Sequence, residues 1–136
     1  MAEVETRIGS TVRLKRDFAA AIVQVIEALK SEGFGVLTEI DVKETMKKKL
    51  GVEYSPFKIL GACNPNLAHR ALSIAPEISL LLPCNVVVRH VADNETEVSL
   101  IDPLLMVEAV NRPELGEVAR EARAKLDRVG SALQAL

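Results

Sequence analysis

CNVVVRHVADNETEVSLI, residues 84–101, decides what kind of fold this chain adopts. Val86 and Val88 share one parity, Val98 and Leu100 keep the same parity in the second run, and polar residues sit between the two runs. Alternation with a period of two marks half-buried strands, and a short polar link between two such strands marks an antiparallel hairpin. If Ala92-Asp93-Asn94 is a three-residue loop with Asn94 left-handed, Val88 faces Val98, Val86 faces Leu100, and Cys84 comes to lie beside Asp102. A two-residue loop would set Val86 against Ile101 and Val88 against Ser99, which mixes the faces, so the three-residue register is expected.

Pro83 breaks an apolar run just before this hairpin, and Asp102-Pro103 opens a short helix through Val110 just after it. Arg112-Pro113 separates that helix from a last one, expected at about 113–135. In it Leu115, Ala119, Ala122, Leu126, Val129, Leu133 and Leu136 form a seam of period 3.5. The seam calls for a partner surface, either the sheet and helices of the same chain or a second subunit.

Upstream, residues 3–14 read as an opening strand with Val4, Thr6, Ile8, Val12 and Leu14 on related parity. Asp17 caps a helix whose Phe18, Ile22, Val25, Ile26 and Leu29 make one apolar stripe, and Gly33 ends it. The strand FGVLTEIDV, residues 34–42, follows. Asp41 with Glu44 then forms a capping box for a short helix, with Val42, Met46 and Leu50 on one side and Gly51 as its stop. Lys47, Lys48 and Lys49 on that helix read as a solvated face rather than a phosphate site. Phe57, Ile59, Gly61 and Cys63 share the parity of a third strand, and Asn64-Pro65 reads as helix cap plus first-turn proline ahead of PNLAHRALSI, on which His69 points away from the apolar side.

The order strand, helix, strand, helix, strand, helix, strand, strand, helix, helix, without a phosphate-binding glycine signature, fits an α+β domain. Helices would cover one face of a largely antiparallel sheet. At 136 residues the chain has the size of a single domain, 1–136. It is 49% hydrophobic and 26% charged, as globular proteins are. Seventeen basic and nineteen acidic residues leave a net charge of −2, so no strong field attracts nucleic acid or anionic lipid. The opening MAEVETRIG lacks a signal-peptide pattern and no run approaches a membrane span, so a cytoplasmic protein is expected, with its two cysteines reduced.

GFGVLTEIDVKETMKKKLG, then ILGACNPNLAHRALSIAPEISLLLPCNVVV, then IDP, in this order and spacing, resemble the bacterial and archaeal family known as domain of unknown function 302. The likeness spans nearly the whole chain. It implies a compact α+β fold similar to the TATA-binding-protein-like group, a homodimer, and no established activity. Fold does not imply function, and this chain lacks the basic surface that DNA binding would need. The resemblance marks Cys63, Asn64, Pro65, Pro83, Cys84 and Asn85 as motif positions, with Gly33, Gly35, Glu39, Asp41 and Asp102 near them. His69 and His90 fall outside the pattern.

The two Cys-Asn elements leave several readings open. Cys63, just ahead of a helix N-terminus, feels the positive end of the dipole, whereas burial would oppose ionisation. An unperturbed thiol near pKa 8.5 is only about 3% thiolate at pH 7. If Cys84 lies within about 7 Å of Cys63 between Cα atoms, a reversible disulfide becomes possible. A zinc site of Cys63, His69, Cys84 and His90 is disfavoured because a strand carries Cys84 and His90 about 20 Å apart. A two-cysteine soft-metal site completed by Asp102 or a second subunit remains a candidate. The same residues also serve as structural corners, since cysteine packs as a small hydrophobe and asparagine caps turns. Glu39 and Asp41, two apart on a strand, are a weaker carboxylate pair for acid/base work. The preferred expectation is a homodimeric binding module with a small-molecule pocket lined by Cys63, Asn64, Pro65, Cys84, Asn85 and Asp102. A cofactor is not identifiable from the sequence. A thiol or metal-handling protein is the alternative, and an interaction module dimerising through the C-terminal helix is a third.

Overall fold

The computed structural model describes residues 4–136. Its strands are β1 (Val4–Glu5), β2 (Gly9–Leu14), β3 (Gly35–Asp41), β4 (Phe57–Cys63), β5 (Cys84–Ala92) and β6 (Glu95–Ile101). The helices are α1 (Phe18–Ser31), α2 (Val42–Leu50), α3 (Pro65–Ile74), α4 (Leu104–Val110) and α5 (Gly116–Gln134), with 3-10 turns at Pro76–Leu81 and Pro113–Leu115. The strands form one sheet in the order β1-β2-β6-β5-β4-β3, every neighbouring pair antiparallel. This is the α+β architecture that the hairpin and the helix-strand order imply.

The hairpin register is the expected one: Val88 pairs with Val98 and Val86 with Leu100. Asn94 is left-handed, with φ 53°. Only the last rung differs, since Ala92 pairs with Glu95 and Val91 becomes the extra residue of a bulge.

One sheet face is covered. Val12, Leu14, Leu60, Ala62, Val86, Val88, Val98 and Leu100 pack against Val25 and Leu29 of α1 and Leu126, Val129 and Leu133 of α5. At roughly 1.5 to 3 kcal/mol for each fully buried aliphatic side chain, this layer is the chief source of stability. The other face is not covered by these helices. It presents Ile59 and Val87, a Thr11–Ser99 hydroxyl contact at 3.0 Å, and Arg13 and Arg89 both paired with Glu97. A second cluster, Leu67, Ala71, Ala75, Ile78, Leu115, Val118 and Ala122, is built by α3, the 3-10 turns and the first half of α5. Helix α5 therefore serves two cores, and from Leu115 to Leu133 its seam is buried inside its own chain; Leu136 is 51% exposed. The seam's partner surface is thus the sheet and helices of its own chain.

The caps follow their chemistry. Asp17 accepts from Ala20 N–H, Asp41 from Glu44 N–H, and Gly33 and Gly51 adopt φ of 83° and 68° at helix ends.

Three local expectations are corrected. The opening strand, whose first residue Glu3 lies outside the described residues, is two strands, broken where Thr6 and Gly9 bond each other in a turn. Val4 and Ile8 are accordingly exposed rather than in register with Val12 and Leu14. In β3 the register shifts between Val36 and Thr38, leaving Leu37 as a bulge residue 67% exposed; Val42 belongs to α2. On α2 only Val42 is buried, and Leu50 faces solvent.

Candidate functional site

A hollow of about 60 Å³ lies where the two hydrophobic clusters meet. The sheet supplies Ala62 and Cys84, α3 supplies Leu67, and the 3-10 turn with the residue after it supplies Ile78 and Leu82. Met106 of α4 and Ala122 of α5 close the opposite side. No charged side chain is among its lining residues.

Cys84 is placed there by β5. It pairs with Ala62 across the ladder, shares the parity of Val86 and Val88, and is buried. Burial pushes its thiol up to about 11, and the nearby Cys63 thiol adds to the rise. Cys84 is therefore a neutral thiol at neutral pH. Cys63, the last residue of β4, reaches the same hollow and is only partly buried.

Asn64 lines the hollow as well, but its amide is already committed. The oxygen accepts from Leu67 N–H at 3.2 Å and the nitrogen donates to the Glu32 carbonyl at 3.3 Å. This one side chain caps α3 and ties it to the end of α1.

The remaining expected site residues lie elsewhere. Pro65 is exposed at the start of α3 and does not line the hollow. Asn85 pairs with Gly61 and is exposed, because the residue after an inward-facing cysteine must face the other way. Asp102 does not continue the ladder beside Cys84. Its N–H donates to the Ile8 carbonyl, and its carboxylate accepts from Leu104 N–H at 2.9 Å and pairs with Arg123 at 3.2 Å. It lines a separate polar dent with Glu5 and Arg123.

Glu39 and Asp41 do not act as a free carboxylate pair, since Glu39 binds Lys58 and Asp41 caps α2. The hydrogen bond from Lys58 to Glu39, against some burial, raises the lysine above its ordinary value. His69 is exposed on α3, and His90 sits six residues along β5 from Cys84. Among the described residues no three His, Cys, Asp or Glu side chains converge as a metal site.

Residue patterning had a signal for the walls that motif reading passed over. The runs LLL at residues 80–82 and LLMV at 104–107 are apolar without strand or helix alternation, and Leu82 and Met106 line the hollow.

The crystal structure of an uncharacterized conserved protein DUF302 from Bacillus stearothermophilus is similar to this chain. It has 31% identity and a TM-score of 0.85, covering 94% of this chain and 99% of that one. No curated protein matches. No helix among the described residues is long and apolar enough to cross a membrane. The family model "Domain of unknown function DUF302" matches residues 10–133, a span that takes in both Cys-Asn elements and every wall of the hollow, and the chain belongs to that family.

Proposed function

We propose that this protein is a binding module that takes a small uncharged apolar group into the hollow beside Cys84. The observation that carries the reading is the meeting of two hydrophobic clusters around a space walled by hydrocarbon and a neutral thiol. Protein interiors are close-packed, so unfilled space forfeits dispersion contacts. An apolar occupant that fills the space gains those contacts. A charged group would lose its hydration there without a partner, a far larger penalty.

The thiol or metal alternative has less support. Cys63 and Cys84 are both free thiols, and a protonated Cys84 is a poor nucleophile and ligand. In a cytoplasmic setting both thiols stay reduced. A second copy of the chain, implied by the family resemblance, would use the open sheet face around Ile59 and Val87, since the α5 seam is occupied.

Xenon tests the reading. Added to the labelled protein, it is expected to shift the methyl resonances of Leu67, Ile78 and Met106 saturably. Ala122→Leu, or Ala68→Leu from the less buried side, is expected to abolish that shift while the cooperative melt persists. A wild-type protein with no saturable shift would rule the reading out. Intact native mass of the purified protein shows in addition whether a ligand accompanies it.

A further inference from the structure

Resting on that reading, we infer that the hollow is the end socket of a site for an unbranched hydrocarbon chain, which continues over the leucines of residues 80–82. The socket is narrower than cavities of about 150 Å³ that admit benzene, so a ring is excluded and only the terminal carbons of a chain fit inside. The rest of such a ligand needs an apolar track outside, and the wall elements carry one. On the turn that buries Ile78, Leu80 is 87% exposed and Leu81 41%, and Leu82 just after it lines the socket. Helix α4, LLMVEAV, packs beside this turn with Met106, Val107 and Val110 against the second cluster, so it backs the turn while the leucines form the exposed track. Exposed apolar area of this kind, contiguous in sequence with socket residues, marks a ligand or interaction surface.

The chemistry of the rim selects hydrocarbon over peptide. A peptide entering the socket would bring amide groups needing partners. The one asparagine lining the socket spends its amide on Leu67 and Glu32. A chain of methylenes has no such need.

Butanol, hexanol and octanol are the probes, with binding read from the same methyl shifts. Affinity is expected to rise with length, by up to roughly fourfold per methylene that reaches apolar surface. Leu80→Ser combined with Leu81→Ser, both at exposed positions, is expected to weaken octanol about tenfold or more while leaving xenon unchanged. Octanol binding no tighter than butanol, or insensitive to the double substitution while xenon still binds, overturns the chain proposal and leaves the smaller apolar site standing. Loss of xenon binding as well in the wild type overturns both. Co-sedimentation with phosphatidylcholine vesicles without octanol binding assigns the leucines to a lipid surface and also overturns the proposal.

Discussion

The amide nitrogen of Asn64 donates to the carbonyl oxygen of Glu32 at 3.3 Å, and so the N-terminus of α3 is fastened to the C-terminus of α1 by the residue that follows Cys63. Gly33 makes room for this bond: a Cβ there would lie 2.9 Å from the same nitrogen, and its φ of 83° is one that side chains resist. Asn64→Ala is expected to lower stability by about 1 to 2 kcal/mol, the worth of a cap plus one hydrogen bond. Asn64→Asp keeps the cap acceptor and loses less. Urea unfolding of both variants checks this, and equal stability of all three proteins would contradict the bracket.

Gly61 sits against Pro83 and Thr38. A Cβ on it would meet the proline Cγ at 2.7 Å and would also crowd the threonine hydroxyl. Thr38 is exposed and can rotate away, whereas the proline ring cannot. Gly61→Ala is therefore expected to cost about 1 to 3 kcal/mol, and adding Thr38→Ala should restore only part of it. Thermal melts of the single and double variants give the comparison.

The thiol of Cys84 holds its proton more tightly when folded than when unfolded. The stabilisation is complete below the ordinary thiol range and is lost as pH climbs from about 9 to about 11, because the unfolded state ionises first. For a rise of this size in a buried group the loss is on the order of 2 to 3 kcal/mol. Unfolding free energy of the wild type minus that of Cys84→Ala should fall across that window and be flat below it. Ellman's reagent at neutral pH should modify Cys63 well before Cys84, the order reversing only if Cys84 is accessible.

Leu133 and Leu136 end the same seam in opposite environments, 1% and 51% exposed. Leu133→Ala is expected to cost about 2 to 5 kcal/mol and Leu136→Ala under about 0.5. Both losses should be independent of protein concentration. A concentration-dependent loss at Leu133 would return the seam to a subunit interface.

The central hairpin was legible because its two strands have one buried face each, and only one register matches them. Caps at Asp17, Asp41 and Asn64 were legible because the donor they meet is three residues away. The errors arose where the chain leaves regular structure. Parity carried past Ile101 put Asp102 beside Cys84, but the chain turns there and the carboxylate meets Arg123, 21 residues on. Counting Cys-Asn as a unit likewise placed Asn85 with Cys84, although a strand sends consecutive side chains to opposite sides. Of the socket, the thiols and Asn64 stood out as rare residues, while Ile78, Leu82 and Met106 looked like ordinary filling.

The pairing of β2 with β6 joins Thr11 to Ser99 across 88 positions. Closing so long a loop is entropically costly, whereas β3 through β6 zip up between successive neighbours. During synthesis β2 must wait for β6 to emerge, its hydrophobic side undocked. A truncated chain ending before residue 95 would leave Val12 and Leu14 without a neighbour and expose them to self-association.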